Sequence, residues 1–431
     1  MAHLIVLALI AGVLGQLPDV GTREKQIGAR RMARVTDGTA LQRAIDSAHR
    51  GDTIRVGPGT YAGTFVIGAP VVLLGEPGAQ LDGGGSADVV RIVADSVVVR
   101  GFTIRGSGRS LTDDQAAVKL IRCRGCVVEG NRIEHSLHGV YLLESHDVEV
   151  IGNHIEGDAA VAEARRGNGI HLFHSTNSRL IRNTIRGTRD GIYFSFASGN
   201  TVEDNDVAQV RYGLHYMYSD DNVFRRNRFT RNAAGAAIMF SRRIVFDGNV
   251  FAEHVGYRAY GILLQTAYQV VATGNRIEGN LVGLFLDMSE DNTFRNNSIV
   301  GNGTGIDLIP SAENNTFVEN VIAQNRVSVR IAGGAAANRW AVNGRGNYWG
   351  DRSIFDLDGD GVGDRPHRVG DPFSSLAALR PVLEAFAGTP AAWALSWAEQ
   401  AFPVFDLPRA EDPAPLIRPP AQMTAMRTVK R

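Results

Sequence analysis

Two consecutive stretches of this chain read GIYFSFASGNTVEDNDVAQVRY at residues 191–212 and GLHYMYSDDNVFRRNRFTRNAA at residues 213–234. Each has 22 residues and begins with a glycine, and Gly169 and Gly235 extend the same spacing on both sides. After one longer step the spacing resumes at Gly261, Gly283 and Gly305. A fixed interval of this length indicates a solenoid, in which each repeat forms one coil stacked on the next.

The kind of solenoid follows from the pattern inside one repeat. Apolar and polar residues alternate after each glycine, as in Gly213 to Tyr216, and a turn such as Ser219 to Asn222 leads into a second strand, Val223 to Phe229. A leucine-rich repeat has similar repeat lengths, but period-two alternation without helical periodicity favours a parallel β-helix. We therefore predict an all-β fold over residues 37–345, a parallel β-helix with coils of about 22 residues.

Asparagines repeat on the turn side of the coils with the same step. The step of 22 residues runs through Asn183, Asn205, Asn227 and Asn249, and Asn131 and Asn153, also 22 residues apart, extend the series upstream. An asparagine tolerates left-handed backbone geometry, and stacked asparagine amides can hydrogen-bond from coil to coil. We expect a ladder of side-chain amides along the solenoid.

Two segments near the N-terminus do not follow the repeat. Residues 37–50 have an apolar face made by Leu41, Ile45 and Ala48, which predicts a helix that caps the open end of the solenoid. Residues 1–15 contain an apolar stretch, Leu4 to Leu14, that is too short to span a bilayer and is typical of a secretory signal. The second segment predicts export, with a buried first strand as the alternative.

The charge balance argues against one class of partner. The chain has 45 Lys and Arg residues and 45 Asp and Glu residues, so its formal net charge is zero. A nucleic-acid-binding surface concentrates Lys and Arg on one face, whereas the arginines here are scattered over turn positions. We predict no nucleic-acid partner.

Cys123 and Cys126 are the two cysteines of the chain. Export permits a disulfide between them. Cys126 lies 22 residues, or one coil, before Val148, and this register places Cys126 inward. Cys123 aligns in the same way with the turn residue Ser145. This alignment favours a buried apolar Cys126 beside a turn Cys123 over a thiolate metal site or a redox pair.

One outer face of the coils carries side chains that are unusual for a solvated sheet. Residues one and three after each glycine are apolar and point inward, so residues two and four point outward. The outward pairs are Tyr141/Leu143, His171/Phe173, Tyr193/Ser195, His215/Met217, Ala237/Met239, Leu263/Gln265, Phe285/Asp287 and Asp307/Ile309. Aromatic, His and Met side chains stacked at steps of about 4.8 Å predict a groove or a contact surface. Insertions at residues 107–114 and 157–166 are expected to help build it.

Three interpretations of this face remain open. A carbohydrate-active β-helix would use the rings as sugar platforms and two carboxylates, Asp287 and Asp307, as acid and base. A copper-handling surface would use imidazole and thioether ligands, which are offered by His171, His174, His215, Met217 and Met239. In the third interpretation, the side chains bury one another beneath a loop or a partner protein.

An Asp-rich segment follows the repeats, at residues 346–370. It matches a calcium-loop pattern, with carboxylates at positions one, three, five and nine and glycine at position six. The candidate ligands are Asp356, Asp358, Asp360, Val362 and Asp364. His367 occupies position twelve in place of the usual Glu, and the pattern favours calcium over a plain acidic turn.

Residues 380–408 are predicted to form two helices, Pro381 to Phe386 and Ala391 to Phe402. The second helix carries Trp393, Leu395, Trp397 and Phe402. A helix this apolar needs a partner. It could fold back on the solenoid, lie in a membrane interface or dock on a membrane protein.

Several segments together resemble the NosD family of accessory proteins for nitrous oxide reductase maturation. The resemblance covers Gly51 to Tyr61, Arg211 to Asn222, Gly346 to Asp364 and the Trp-bearing tail to about Pro408. Residues 214–222 and 347–364 are the most specific of these, because the coil pattern alone is shared with many sugar-processing β-helices. The resemblance implies that the β-helix is right-handed.

It also implies a non-catalytic, copper-binding protein of the periplasm, joined at the inner membrane to the permease and ATPase of an ABC transporter. Copper, transiently as Cu(I), would come from a lipoprotein chaperone and pass to apo nitrous oxide reductase. In this setting the contacts with protein partners would involve Tyr141, Phe173, Tyr193, Phe285, Asp287 and Asp307. The Trp393 to Phe402 helix would be the transporter dock. A polysaccharide lyase or hydrolase that uses the same groove is the alternative.

Overall fold

The computed structural model describes residues 30–31, 36–309, 311–331, 337–350, 354–370, 373, 376, 380–386, 389–401 and 410–421. Over these residues the chain winds into a parallel β-solenoid with three long sheets of 13, 12 and 12 strands. Cα partners on neighbouring coils, such as Ile192 and Leu214, are 22 residues apart. The predicted parallel β-helix and its coil length are confirmed.

Each coil contributes one strand to each of three sheets, which we name A, B and C. Sheet A contains Arg30–Arg31, Thr53–Val56, Val72–Gly75, Val98–Arg100, Val127–Glu129, Glu149–Ile151, Arg179–Ile181, Thr201–Glu203, Val223–Arg225, Val245–Asp247, Val271–Thr273, Thr293–Arg295 and Thr316–Val318. Sheet B contains Gly59–Ala62, Ala79–Asp82, Thr103–Arg105, Arg132–Glu134, His154–Glu156, Thr184–Arg186, Asp206–Ala208, Arg228–Thr230, Val250–Ala252, Arg276–Glu278, Ser298–Val300 and Val321–Ala323. Sheet C, built from the glycine-led strands, contains Phe65–Ile67, Val90–Ile92, Ala116–Ile121, His138–Leu143, Ile170–Phe173, Asp190–Ser195, Tyr212–Met217, Ala234–Arg242, Tyr260–Tyr268, Val282–Asp287, Thr304–Leu308 and Val327–Ile331.

The core is a column of apolar side chains inside the coils. Residues one and three after each glycine are fully buried, as predicted; Ile192, Phe194 and Leu214 are examples. Like side chains stack from coil to coil, with the rings of Phe224 and Phe246 5.1 Å apart. Stacking identical side chains at the strand spacing lets every coil contribute the same contacts to its neighbours.

The repeated glycine is required by a close approach inside the coil. A Cβ atom on Gly191 would lie 2.3 Å from Val207 Cγ1 and 2.7 Å from the carbonyl oxygen of Gly213. Sheet C therefore bends into contact with sheet B and with the next coil at this position. Any side chain larger than hydrogen would push these elements apart.

The predicted amide ladder is confirmed. Each Nδ2 donates to the Oδ1 of the next asparagine at 2.9–3.1 Å, through Asn131, Asn153, Asn183, Asn205, Asn227, Asn249, Asn275, Asn297, Asn320 and Asn347. The expected left-handed geometry falls elsewhere, on the residue before the asparagine: Asp204 has φ +56° and Arg226 has φ +50°. The amides are buried inside the turn, and the exposed neighbour adopts the left-handed backbone that makes the corner.

The capping helix spans Gly38–Asp46. Asp37 is its N-cap and accepts a hydrogen bond from the backbone N–H of Ala40 at 2.8 Å. Leu41 and Ile45 are buried in the first coils, and Ala48 packs against them from beyond the end of the helix. The predicted cap is therefore present but shorter than residues 37–50.

The two cysteines agree with the predicted register, and Cys123 is more buried than expected. Cys123 and Cys126 are both fully buried, and they are joined by a disulfide. The sequence permitted this disulfide and placed Cys126 inward beside a turn Cys123; Cys126 is inward as predicted, and Cys123 lies between two strands but is buried as well. The register was correct, but the short Arg124-Gly125 connection turns both side chains into the coil, where Gly125 adopts φ +67°.

The C-terminal region returns to the solenoid through strands that have no repeat signal in the sequence. Strand His367–Val369 pairs antiparallel with Ala410–Asp412, and Leu416 bridges to Tyr348. Asp412 Oδ2 accepts hydrogen bonds from the Asn347 backbone N–H at 2.7 Å and from Trp349 Nε1 at 2.9 Å. The buried Asp412 carboxylate thus accepts the backbone N–H of Asn347, the last asparagine of the amide ladder.

The helical segments lie, in sequence, between the paired strands His367–Val369 and Ala410–Asp412. They are a 3₁₀ helix, Pro381–Phe386, and an α-helix, Pro390–Ala401. Phe373, Leu383, Ala392 and Leu395 form a small apolar cluster of their own. In the part of the chain that the structure describes, no helix is long and apolar enough to cross a membrane. The signal segment 1–15, Phe402 and the side chains of Trp393 and Trp397 lie outside the described residues.

Candidate functional site

The outer face of sheet C carries a row of residues in register on successive coils. Its order is Lys119, Tyr141, His171, Tyr193, His215, Ala237, Leu263, Phe285 and Asp307. Ring centroids of Tyr141 and His171, and of His171 and Tyr193, are 4.5 Å apart, and those of Tyr193 and His215 are 4.7 Å apart. The stacked outward side chains predicted from the repeat are therefore in contact.

The two insertions cover the early half of this row. Asp114, in the first insertion, accepts a hydrogen bond from the Tyr141 hydroxyl at 3.0 Å. Asn168, just after the second, lies with its Nδ2 3.4 Å from His171 Nδ1. Tyr141 and His171 are consequently buried, and they do not line the open groove that the sequence predicted. Burial, and then the nearby His138, lower the pKa of His171 to about 3.

His138 joins this covered cluster and was missed by the sequence analysis. It lies directly before the repeat glycine Gly139, whereas the predicted outward positions are two and four residues after each glycine. Its Nδ1 accepts the backbone N–H of Asn168 at 3.0 Å, so the neutral ring carries its proton on Nε2. That nitrogen lies 3.7 Å from Asp114 Oδ1. His138 thus lies between Asp114 of the first insertion and the chain just after the second, and its neutral ring has no lone pair left for a metal ion.

His215 has the opposite arrangement. Its Nδ1 lies 2.9 Å from Asp190 Oδ2, and a carboxylate can only accept, so Nδ1 carries a proton and the neutral ring has its lone pair on Nε2. The side chain of His215 is 14% exposed. Although burial opposes ionisation, hydrogen bonds from His215 and Arg211 hold the pKa of Asp190 below its ordinary value.

Two thioethers lie beside this imidazole. Met217 follows His215 by two residues on the same strand and therefore points to the same face. Met239 is the Cα partner of Met217 on the next coil, and both side chains are half-buried. The Tyr193 hydroxyl contacts Met217 Sδ at 3.9 Å. His215, Met217 and Met239, which we call the His–Met cluster, are thus the copper-ligand candidates that the fold brings together.

The other copper candidates lie apart from the His–Met cluster. Tyr193 separates His171 from His215 along the row, and His171 is under the insertions. His174 is on the corner of the coil, stacked at 4.9 Å on Phe196. Phe173, predicted as a groove contact, packs edge-on against His174 at 4.4 Å.

The stack that begins at His174 continues along the corner and was also missed. Phe196, Tyr218 and Phe240 stack at 5.2 and 5.1 Å with nearly parallel rings. All four residues have positive φ and are exposed, with Tyr218 47% exposed. We name them the aromatic corner. They occupy the fifth position after each repeat glycine, a recurrence that was visible in the sequence.

The two carboxylates predicted as an acid and base pair have different surroundings. Asp307 is fully buried, and its Oδ1 accepts from Arg330 Nε at 2.8 Å. Its carboxylate is therefore covered from solvent and held in an ion pair with Arg330. Asp287 accepts from Gln265 Nε2 at 3.1 Å, and Phe285 packs against Tyr260 at 5.0 Å.

The Asp-rich segment gathers three of its predicted ligands. Oxygen atoms of Asp356, Asp358 and Asp360 all lie within 4.8 Å of one another. The Asp364 carboxylate instead accepts the backbone N–H of Leu357 at 2.6 Å, and the His367 ring stacks on Trp349 at 4.7 Å. Calcium binding by this loop stays a prediction.

Fold and site together define a class of protein, a parallel β-solenoid that presents imidazole and thioether groups on one outer sheet face. Residues 151–353 match the sequence model of a family described as periplasmic copper-binding protein (NosD). A Pseudomonas aeruginosa protein named probable ABC transporter binding protein NosD is 38% identical over 378 residues, which are 84% of this chain and 87% of that protein. A Stutzerimonas stutzeri protein of the same name is 36% identical over 384 residues, 85% of this chain and 87% of that protein. The chain belongs to the NosD family.

Solved structures with a similar fold are more distant in sequence. The Dettilon tailspike protein is 16% identical, with a TM-score of 0.52 over 74% of this chain and 71% of that chain. This likeness concerns the fold alone.

Proposed function

We propose that this protein is a non-catalytic periplasmic factor that carries Cu(I) on the outer face of sheet C and hands it over during maturation of nitrous oxide reductase. Copper is the cargo of the protein. The observation that carries the proposal is the His–Met cluster, where one oriented imidazole and two thioethers share a single face. The description of the family as copper-binding supports the choice of metal.

The ligand types favour cuprous copper. Thioether sulfur is a soft ligand that selects Cu(I), and imidazole also suits copper, whereas hard cations prefer oxygen. The nearby carboxylate of Asp190 is occupied by Arg211, whose nitrogen atoms lie 2.8 and 2.6 Å from its oxygens. Neutral ligands dominate the site, which suits a metal ion that has to be released.

The position of the cluster supports exchange with another protein. Met217 and Met239 are half-buried at the surface, and each is followed directly by a residue of the aromatic corner, Tyr218 and Phe240. A protein that contacts the exposed ring edges would come within reach of the two sulfur atoms. We infer that the copper donor and the copper acceptor both approach from this side.

The C-terminal helices are suited to a different partner. They form a segment with its own small apolar cluster, attached to the solenoid by paired strands on both sides. Val382 and Phe386 remain exposed on it. Because the Pseudomonas aeruginosa and Stutzerimonas stutzeri relatives are both named as ABC transporter binding proteins, we propose that this segment docks on an ABC transporter.

Anaerobic titration of the full chain with Cu(I), in competition with a chromophoric chelator, tests the central part of the proposal. We expect one tightly bound Cu(I) per chain. The triple variant His215→Ala, Met217→Ala, Met239→Ala should lose this binding while its circular dichroism spectrum and melting temperature stay close to wild type, because all three side chains lie outside the core.

A matched control removes the same residue types away from the cluster. In His154→Ala, Met288→Ala, the histidine is on sheet B and the methionine is 47% exposed on a later coil. This variant should bind Cu(I) like wild type. A wild-type chain that binds no Cu(I), or a triple variant that binds it equally tightly, would overturn the proposal.

A further inference from the structure

The geometry points to Asp190 as a positioning residue: we propose that Asp190, clamped by Arg211, holds His215 in the tautomer whose Nε2 lone pair faces outward as a ligand for a soft metal ion. The inference rests on the proposed function for the identity of the metal. It concerns a residue that lies outside the repeat positions from which the copper candidates were drawn. Asp190 belongs to the coil before His215 and directly precedes a repeat glycine.

Asp190 is held rigidly by several contacts. It is 2% exposed, and Arg211 Nε and a terminal Arg211 nitrogen bind its two oxygens at 2.8 and 2.6 Å. The backbone N–H of Tyr212 adds a hydrogen bond to Oδ1 at 3.3 Å. A carboxylate fixed in this way presents Oδ2 to His215 Nδ1 in one direction.

The consequence for the imidazole is a fixed proton position. The ionised carboxylate has no donor, so the 2.9 Å hydrogen bond must run from Nδ1–H to Oδ2. The same Arg211 nitrogen that donates to Oδ2 at 2.6 Å lies 3.5 Å from Nδ1, so its proton is directed to the carboxylate and not to the imidazole. The remaining nitrogen, Nε2, then carries the lone pair. Carboxylates that orient a metal-binding histidine in this way also raise its basicity, and their loss typically lowers metal affinity by about 10–100-fold.

Two other histidines of the fold show that this orientation is not automatic. His138 and His254 each accept a backbone N–H at Nδ1, at 3.0 and 3.2 Å, and therefore carry their proton on Nε2. Both are buried and fill structural positions. The same residue type is thus set to two opposite tautomers, and a carboxylate determines the tautomer of His215.

The variant Asp190→Asn should reverse the tautomer. Its amide has one oxygen and one NH₂ group, and Arg211, which can only donate, takes the oxygen. The NH₂ group is left facing His215 Nδ1, which must then accept, so the proton moves to Nε2. We expect Cu(I) affinity to fall by about 10–100-fold, as for other lost carboxylate partners of a metal-binding histidine.

Asp88→Asn is the matched control. Val90 and Ile192 belong to one register row of sheet C. Asp88 and Asp190 each lie two residues before their member of this row, so they occupy equivalent positions on different coils. It is 1% exposed, accepts a backbone N–H of the next coil and binds Arg91 through two nitrogens at 3.0 and 2.7 Å. Asp88→Asn should lower the melting temperature about as much as Asp190→Asn but leave Cu(I) affinity unchanged.

A readout that needs no copper tests the tautomer itself. Long-range ¹H–¹⁵N correlation spectra of the metal-free protein, labelled at histidine, should show His215 protonated at Nδ1 in wild type and at Nε2 in Asp190→Asn. A wild-type His215 protonated at Nε2 would overturn the inference, as would an Asp190→Asn variant with a switched tautomer and wild-type affinity. If the spectra are as expected but wild type binds no Cu(I), the positioning stands and the proposed function fails.

Discussion

At the scale of single residues, the glycine and the asparagine of each repeat serve different contacts. Gly191 is needed because its Cα lies against Val207 and the next coil. Asn205 accepts from Asn183 at 2.9 Å and donates to Asn227 at 2.9 Å and to the carbonyl of Leu180 at 2.8 Å. Both residues could be identified from spacing alone. The reason for the glycine could not be identified, because the sequence does not show which atoms lie where a larger side chain would be.

Replacing two glycines separates steric from backbone effects. Gly191→Ala puts a methyl group 2.3 Å from Val207 Cγ1, and we expect it to lower the free energy of unfolding by about 3 kcal/mol. Gly152→Ala meets no atom within 4 Å but has φ +61°, so it should cost about 1–2 kcal/mol. Urea unfolding followed by circular dichroism measures both. Equal losses would show that the close contact at Gly191 is relieved by a small shift of the coil.

His254 gives the solenoid a built-in sensitivity to acid. It occupies an inward position that is filled by Asn232 in the previous coil and by Asn280 in the next. Burial lowers the pKa of His254 to about 3. The unfolded chain takes up a proton near pH 6.5, whereas the folded chain does not, so stability is lost as the pH falls below about 6.5. His254→Asn restores the amide and removes this term.

We therefore expect the fall in melting temperature between pH 7 and pH 4.5 to be smaller in His254→Asn than in wild type. His49→Asn is the control, because the His49 side chain is 87% exposed and its replacement removes no buried histidine. An identical acid sensitivity of wild type and His254→Asn would mean that other groups determine the response.

At the scale of the elements, strands were easier to predict than the segments between them. Alternation and period gave the strands of sheet C and their register, because every coil repeats the same contacts. The insertions at residues 107–114 and 157–166 were recognised as interruptions, but their path over Tyr141 and His171 depends on single contacts with Asp114 and Asn168. The returning strand Ala410–Asp412 has no repeat signal and becomes visible through its pairing with His367–Val369.

The Asp-rich loop provides a prediction for a single element. If Asp356, Asp358 and Asp360 bind calcium, the three carboxylates lose their mutual repulsion when the ion enters, and the loop is stabilised. Adding Ca²⁺ to chelator-treated protein should raise the melting temperature of wild type and have less effect on Asp358→Asn, Asp360→Asn. Asp247→Asn, on the outer surface of sheet A, should respond like wild type. A shift of equal size in all three proteins would exclude this loop as the site.

At the scale of the whole molecule, the solenoid sets the geometry of the outer face. Stacked coils place His215, Met217 and Met239 next to one another and align the aromatic corner beside them. Two insertions cover the earlier coils, and on the later coils the buried Asp307 forms an ion pair with the partly exposed Arg330. Residue types alone indicated a His and Met surface. Its division into a covered histidine cluster and an accessible His–Met cluster required the loops in three dimensions.

X-ray absorption at the copper edge of the Cu(I)-loaded full-length protein tests the central claim most directly, because it reports the atoms bound to the metal. We predict one imidazole nitrogen and two thioether sulfurs in wild type, and loss of the sulfur scatterers in Met217→Ala, Met239→Ala. A first shell without sulfur in wild type, or an unchanged shell in the variant, would contradict a copper site at the His–Met cluster.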